Sequence, residues 1–274
     1  MTLTSASWAP ASTAASSTAD TRRLGASGGV CSIHQPNLFP RLSTLAKLFA
    51  ADRWIVLDDV QFARRDYQHR TRLAALDDPT TQQWLTLPTH LPNGRPTLVN
   101  QALLVEPRRS RRTVGLLVRQ YYGRSCYWPV VREVLEVVLD RFEDTERVAD
   151  LARTSTVALL TALGWSGEVL EGSAIPTREG RSERLADLVV ATGSNYYLCG
   201  TGGLRYLDYQ PFAVHGITVV PFHTPVDARD RLWKWARRVS SLWALSEIGP
   251  SELATRLAVE REGHLAGIPA LGGR

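Results

Sequence analysis

The sequence predicts an α/β fold, a mostly parallel sheet flanked by helices in a Rossmann-like or nucleotidyltransferase-like arrangement, with a helical insert. Three observations predict it: β-prone runs alternate with amphipathic segments, polar or glycine-rich turns follow these runs, and residues 29–57 have the pattern strand, helix, strand. With 274 residues, 44% of them hydrophobic and 22% charged, the chain has a globular composition and the length of one large domain or two small ones.

The first elements form a βαβ unit. A strand is predicted over residues 29–33 and ends before Pro36, because proline ends a strand or begins a turn. A helix is predicted over residues 42–51, where apolar residues recur at helical spacing. The continuous apolar run at 54–57, closed by two aspartates, predicts a buried strand that reaches the edge of the sheet.

The later elements continue the alternation around a helical segment. One helix is predicted over 128–142 and another over 146–163, both within a helical insert at about residues 105–165. The remaining predicted elements are a third strand at 84–88, a helix from Ser182 to Gly193 with Ser182 as its N-cap, and strands at 196–199 and 217–220.

We predict one α/β domain over residues 30–262, between a disordered extension (1–29) and a flexible tail (263–274). The extension is rich in Ala, Ser and Thr and lacks the apolar centre of a signal peptide. No apolar run approaches the ~20 residues that span a bilayer, and three widely spaced cysteines fit a reducing compartment. These observations predict a soluble, cytoplasmic protein and leave its oligomeric state open.

The cationic residues are almost all arginine. Of the 32 Lys and Arg residues, only Lys47 and Lys234 are lysines. Arginine stays charged and grips carboxylate or phosphate with paired hydrogen bonds, so the imbalance disfavours lysine chemistry. The net charge of +5 is spread among 27 acidic residues without a nucleic-acid-binding motif, so nucleic acid is not favoured as a partner. Neither His-x₃-His nor Cys-x₂-Cys occurs, and no metal site is predicted.

Candidate chemistry lies just after the strands, where parallel sheets bind ligands. The first junction, His34-Gln35-Pro36-Asn37, offers an acid/base imidazole and two amides. In the second, Asp58-Asp59-Val60-Gln61, the carboxylates suit a general base or Mg²⁺, and at most one of them faces a given ligand because side chains alternate along an extended chain. The structural alternatives are a turn for the first junction and a helix cap for one aspartate of the second.

The third junction is Cys199-Gly200-Thr201-Gly202-Gly203. Its glycines allow backbone N–H groups to surround an anion or an oxyanion, although ordinary turns use the same residues. Cys199 is a candidate nucleophile, with a buried, inert cysteine as the favoured alternative.

Two arginine groups accompany these junctions and suit an anionic substrate. Arg64, Arg65 and Arg70 follow the acidic pair, interleaved with Gln68. Ser182-Glu183-Arg184 stands at a predicted helix start, where the dipole favours an anion. A solvated charged face explains any single arginine equally well.

Several separated motifs strongly resemble the WbqC-like family from about residue 30 to residue 250. They are Ile33-His34-Gln35-Pro36-Asn37, Leu57-Asp58-Asp59-Val60-Gln61-Phe62, Gln68-x-Arg70, Ser182-Glu183-Arg184, Tyr197-Leu198-x-Gly200 with Gly202-Gly203, and Tyr206-Leu207-Asp208. The resemblance implies a biosynthetic role, because members are commonly encoded in bacterial surface-polysaccharide or specialised-metabolite pathways. This sequence departs from the family pattern at Arg41, Cys199 and Trp243, where a tryptophan, a serine and an acidic residue are usual.

A weaker similarity is to the nucleotidyltransferase and pantothenate-synthetase type of fold, and it implies ATP with Mg²⁺ as a cofactor. Three functions therefore stay open: an enzyme that transfers an acyl or aminoacyl group or forms an amide, an ATP-dependent nucleotidyl transferase or ligase, and a non-catalytic binding protein of a pathway. In the first, His34 and one of Asp58 and Asp59 carry protons for a small or carrier-bound anionic substrate. The predicted binding residues are Gln35, Asn37, Gln61, Arg64, Arg65, Gln68, Arg70, Ser182, Glu183, Arg184, Gly200, Gly202, Gly203, Tyr206 and Asp208.

Overall fold

The computed structural model describes residues 28–225 and 229–266, so most of the predicted N-terminal extension lies outside the described residues. The elements in chain order are β1 Gly29–His34, α1 Leu42–Phe49, β2 Arg53–Val56, β3 Arg70–Ala74, β4 Gln82–Thr86, β5 Thr89–His90, β6 Leu103–Leu104, α2 Pro107–Tyr122, α3 Trp128–Asp144, α4 Val148–Ala162, β7 Glu168–Glu171, α5 Arg181–Ala191, β8 Ser194–Gly200, α6 Thr201–Leu204, α7 Gln210–Val214, β9 Thr218–Phe222, α8 Arg231–Trp235 and α9 Ser241–Leu265.

The central feature is a five-stranded parallel sheet in the order β7-β2-β1-β8-β9. The chain builds outward from β1 through β2 to β7, then returns across the sheet and builds outward through β8 to β9. Numbered along the chain, the sheet strands follow the order 3-2-1-4-5, the Rossmann type of arrangement. The predicted α/β class is confirmed, and the direction of building reverses between β1 and β8.

Both faces of the sheet are covered, which explains why its central strands β1, β2 and β8 bury side chains on both sides. On one face, Val30, Trp54 and Leu198 pack in a core with α1, α9 and the helices α2–α4. On the other face, Cys31 and Tyr197 pack in a smaller core with α5 and α7.

Two predictions about strands need correction. The run at 84–88 contributes to β4, but β4 pairs antiparallel with β3 in a separate two-stranded sheet and does not join the main one. Strand β7, which pairs with β2 at the sheet edge, was not predicted from the sequence. Only Val169 and Leu170 of β7 are apolar, flanked by Glu168 and Glu171, because an edge strand buries little surface.

The C-terminal helix crosses the predicted boundary between the domain and the tail. Helix α9 continues through Leu265, past the predicted domain end at residue 262, and residues 267–274 of the predicted tail lie outside the described ones. The helix changes direction at Gly249, which has a φ of 78° and directly precedes Pro250. A Cβ atom on Gly249 would lie 2.3 Å from the ring of Tyr127, so the kink needs glycine for both conformation and space.

Within residues 28–225 and 229–266, no helix combines the length and the apolar character needed to cross a bilayer.

Candidate functional site

Two cavities lie where the direction of sheet building reverses, at the carboxyl ends of β1 and β8. A large cleft of about 890 Å³ and a small cavity of about 200 Å³ share Gly202 as part of their walls. The predicted site residues along the large cleft are Gln35, Asp59, Gln61, Arg184, Gly202, Gly203 and Tyr206. Those along the small cavity are His34, Gly200 and Gly202. The first and third predicted junctions therefore meet at one place, as ligand binding at such a reversal point requires.

His34 ends β1 and lies in the wall of the small cavity. Its Nδ1 is 2.8 Å from the carbonyl oxygen of Gln35, so Nδ1 carries the hydrogen and Nε2 carries the lone pair. Burial, followed by the nearby charge of Lys47, lowers the pKa of His34 from 6.5 to about 3. The imidazole is therefore neutral at physiological pH and is able to accept a proton at Nε2.

The sequence analysis missed Lys47, which lies beside His34 in the wall of the small cavity. Its side chain is buried, and Nζ donates a hydrogen bond to the carbonyl oxygen of Ile33 at 3.1 Å. Burial lowers the pKa of Lys47 to about 8, against an opposing influence of Cys199 and Cys31. The available signal was a lone lysine between buried apolar residues of a helix, in a chain that otherwise uses arginine.

The two adjacent aspartates point to different partners. Asp59 lies on the large cleft and accepts a hydrogen bond from Nη2 of Arg184, whose helix α5 forms the opposite wall. Asp58 instead accepts hydrogen bonds from Ser173, from Oγ at 3.1 Å and from the backbone N–H at 3.3 Å. The alternation of an extended chain thus directs one carboxylate to the cleft and the other to a structural contact.

The amides after β1 also divide between cleft and core. Gln35 lies on the large cleft, and its Oε1 accepts a hydrogen bond of 2.5 Å from Nε2 of the buried Gln68. Asn37 is buried, and its backbone carbonyl oxygen accepts hydrogen bonds from the hydroxyls of Ser155 and Thr156 on α4. Asn37 therefore anchors the end of β1 to the helical layer and does not line either cavity.

The predicted arginines after the acidic pair lie away from both cavities. Arg64 and Arg65 are exposed. The guanidinium of Arg70 lies 4.3 Å from the ring centroid of Trp84 and donates to the carbonyl oxygen of Asp66 at 3.2 Å. Since Arg70 belongs to the β3–β4 hairpin, which the main sheet does not include, proximity in sequence to Asp59 does not bring it to the cleft.

The start of α5 differs from its prediction. Gly180, with φ of 101°, is the N-cap, and Ser182 lies inside the helix. The Oγ of Ser182 accepts a hydrogen bond from the backbone N–H of Asp208 at 2.9 Å. Ser182 and Asp208 thus join α5 to the loop after α6, and neither lines a cavity.

Arginine side chains nevertheless surround the cleft near α5. The guanidinium of Arg181 lies 5.4 Å from the ring centroid of Tyr206, and Arg178 is paired with Asp187 at 2.6 Å. Arg178, Arg181 and Tyr206 all line the large cleft, whereas Glu183 does not. The cleft therefore presents an aromatic ring and several arginines, of which Arg178 and Arg184 are paired with carboxylates.

Cys199 does not have the surroundings of a nucleophile. It is 1% exposed, packs in the α5 and α7 core, and lies outside the lining of either cavity. Burial raises the pKa of its thiol. Because the thiolate is the nucleophilic form, these surroundings favour the inert structural cysteine.

We expect Gly203 and Gly202 to respond differently to substitution. A Cβ atom on Gly203 would lie 2.9 Å from Sγ of Cys199, whereas one on Gly202 meets nothing within 4 Å. Gly203→Ala should therefore lower the free energy of unfolding by about 1–3 kcal/mol through overpacking. Gly202→Ala, in α6 with open space around it, should leave it unchanged or raise it by up to about 1 kcal/mol, because alanine has the higher helix propensity. Urea unfolding measures both. An equal loss in the two variants would contradict the close Cys199 contact.

Acid is expected to destabilise the protein through two histidines. His69 is buried beside Phe62 and its pKa is lowered to about 4, while that of His34 is about 3. Unfolded histidine has a pKa of ~6.5, so between pH 6.5 and 4 the unfolded chain binds more protons than the native one. The free energy of unfolding should keep its full value above pH 6.5. As the pH falls below 6.5, it should decrease by up to about 1.4 kcal/mol per pH unit for each histidine.

Urea unfolding between pH 7 and 5 measures this slope before most carboxylates titrate. His69→Gln should flatten it, whereas substitution of the exposed His90 by Gln should not. An unchanged slope in His69→Gln would show that other groups govern the acid response.

Among the described residues, no group of three or more His, Cys, Asp or Glu side chains is placed to hold a metal ion.

A parallel sheet in Rossmann order with cavities at its reversal point defines an α/β protein of the class that binds ligands at the carboxyl ends of its strands. The chain belongs to the WbqC-like protein family, whose model matches residues 35–251, and the resemblance seen in the sequence motifs is thereby confirmed.

A relative extends this match without naming a reaction. The chain is similar to a Mycobacterium tuberculosis protein described as "Uncharacterized protein Rv1507c", with 23% identity over 192 residues, which cover 69% of this chain and 80% of the relative. No solved structure matches the chain significantly.

Proposed function

We propose that this WbqC-like protein is a biosynthetic enzyme that transfers an acyl or aminoacyl group, or forms an amide, on a sugar or specialised-metabolite intermediate. The observation that carries the proposal is the neutral imidazole of His34, which stands at the end of β1 in the wall of the small cavity with Nε2 free of a hydrogen. An imidazole with a free Nε2 at the reversal point of an α/β sheet can accept a proton from an amine or a hydroxyl, and its low pKa makes it a weak base that relays this proton to the leaving group.

In the proposed step, the acceptor places its N–H or O–H at Nε2 of His34. The imidazole takes this proton while the acceptor atom bonds to the acyl carbon, and the bond from the acyl carbon to the leaving group breaks as the tetrahedral intermediate collapses. The imidazolium then returns the proton to the leaving group, so protons and charges balance. Burial and the Lys47 charge disfavour the imidazolium, so they oppose uptake of the proton and favour its return to the leaving group.

The large cleft would hold the rest of the substrate. Arg181 on its wall suits an anionic group, and the ring of Tyr206 offers an exposed face to a sugar or another flat group. The Asp59–Arg184 pair joins the strand side of the cleft to α5 and would fix its width. In this role Asp59 is a positioning residue, since its carboxylate is already occupied by Arg184.

The test begins with deletion of the gene and identification of the metabolite that accumulates. An accumulating amine or alcohol, together with loss of its acylated product, would support acyl transfer or amide formation. Restoration by the wild-type gene and by Lys234→Gln, but not by His34→Gln, would support a catalytic site. Full restoration by His34→Gln would instead favour the non-catalytic binding protein.

A second candidate, an ATP-dependent nucleotidyl transferase or ligase, is favoured by the strand order, because nucleotides commonly bind at the reversal point of such sheets. Equilibrium binding of ATP with Mg²⁺ to the purified protein separates the two candidates. Absence of binding at millimolar nucleotide would count against this second function and leave the first one standing.

A further inference from the structure

The small cavity has an unusual lining. Three of its residues are cationic (Arg41, Lys47 and Arg237), four carry hydroxyl groups (Ser43, Thr44, Thr201 and Thr224), and His34 completes the polar set. None of the described residues that line it is acidic. The side chains therefore offer hydrogen-bond donors and positive charge without a counter-ion of their own.

Two of these cations retain unused hydrogen-bonding capacity. The Nε of Arg41 is buried and has no hydrogen-bond partner within the described chain, although Nη1 donates to the carbonyl oxygen of Arg237 at 3.2 Å. Lys47 is more than nine-tenths buried, and its ammonium has three N–H donors but one recorded acceptor, the carbonyl oxygen of Ile33.

Several arginines elsewhere in the molecule are paired with carboxylates, whereas the cations of the small cavity have no such partner among the described residues. Arg184 is paired with Asp59, and Arg256 with Asp230 at 2.9 Å. Within the described ranges, neither Lys47 nor Arg41 forms such an ion pair, and the guanidinium of the half-buried Arg41 lies 4.0 Å from the ring centroid of Tyr67. A buried charge is normally neutralised by a partner, and the described chain supplies no carboxylate to the buried ammonium of Lys47.

We propose that the small cavity binds the phosphate group of a small-molecule substrate or cofactor whose remainder lies in the large cleft. The donors come from α1, from the start of α6, from the loop after β9 and from the segment after α8, and this spread around the cavity suits a tetrahedral anion better than a planar carboxylate. The backbone N–H groups of Ser43 and Thr44 are already bonded, so side chains perform the recognition.

The size of the cavity and its connection fit this ligand. A volume of about 200 Å³ holds a phosphate group but not a whole metabolite, and Gly202, whose missing side chain leaves open space, belongs to both walls. In the proposed arrangement the phosphate lies among the cations, and the reacting group reaches His34 from the large cleft past Gly202. This placement of the remainder rests on the proposed function, whereas phosphate binding itself does not.

The environment of Lys47 gives the site a pH dependence. The titratable groups that face it are His34 and Cys31 on β1 and Cys199 on β8, with the permanently charged Arg41 nearby. The pKa of His34 is about 3, that of Cys31 is about 12, and that of Cys199 is raised, whereas that of Lys47 is about 8. Among these groups, Lys47 is the one expected to change charge between pH 7 and 9.5.

The experiment uses the purified full chain with inorganic phosphate and with sulfate, which stays a dianion across this pH range. Calorimetric titration at pH 7 should give one saturable site, and Lys47→Met and Arg237→Gln should each weaken binding at least tenfold. Arg237 is exposed, so its variant should fold even if Lys47→Met does not. The matched controls are Lys234→Met and Arg238→Gln, because both residues are exposed and line neither cavity.

Sulfate affinity of the wild-type protein should fall by up to about tenfold per pH unit above pH 8 as Lys47 loses its proton, and this dependence should be absent in Lys47→Met. The proposal is overturned if the wild-type protein binds neither anion at 10 mM, or if Arg237→Gln binds as tightly as Arg238→Gln. Binding is measured without turnover, so an inactive protein that binds phosphate would refute the proposed enzyme but not this site.

Discussion

Replacement of His34 by Gln is expected to reduce the rate of the proposed transfer by about 100- to 10,000-fold, the usual range for a general base. Gln is similar in size and polarity but has no nitrogen that takes up a proton at neutral pH. The fold should survive, because the contacts of β1 at this residue are made by its backbone carbonyl oxygen, which accepts from Trp54 Nε1 and from the N–H of Leu57.

The measurement is the turnover of the accumulated intermediate by purified variants at saturating substrate. His90→Gln, at an exposed histidine, is the matched control and should keep full activity. Since the pKa of His34 is about 3, we expect no acid limb between pH 5 and 7 from this residue. A loss of less than fivefold in His34→Gln would remove His34 from the chemistry.

Replacement of Trp54 by Ala is expected to lower the free energy of unfolding by about 3–5 kcal/mol, the usual cost of removing a large buried aromatic side chain. Trp54 is 0% exposed and packs in the larger core beneath α1. Its Nε1 also donates to the carbonyl oxygen of His34 at 3.1 Å, so it joins β2 to the end of β1 at the site.

Urea unfolding measures this loss, and Trp54→Phe separates packing from hydrogen bonding. The Phe variant keeps most of the ring packing but loses the donor, and it should lose about 1 kcal/mol, because the carbonyl oxygen of His34 retains its hydrogen bond from Leu57. If Trp54→Ala lost no more than Trp54→Phe, the packing of Trp54 would not support the sheet as described.

Local patterns were sufficient for much of the fold. The strand at 29–33, the helix at 42–51 and the strand at 54–57 all appear as β1, α1 and β2 with small changes at their ends. Their signals are strong because each buries a regular set of apolar residues, and hydrophobic periodicity depends on the element alone. Strand β7 was missed for the opposite reason, since it exposes most of its surface at the sheet edge.

The candidate site was predictable only at the strand ends. His34, Asp59 and Gly202 were identified because polar residues directly follow apolar runs, and the structure brings all three to the paired cavities. Arg70, equally prominent in the sequence, lies on the separate hairpin beside Trp84. Lys47 carried only the weak signal of a single charge in an apolar helix face.

The sequence by itself determined the α/β class, the order of the main elements and the family, because these depend on residue patterns that neighbouring positions carry together. Only the tertiary structure decided which side chains meet. The return of the chain from β7 across the sheet to β8 places Gly200 beside His34 and Lys47, although more than 150 residues separate them along the chain. Contacts of this kind depend on long-range strand order, and burial in the resulting cavity then sets the protonation of His34 and Lys47.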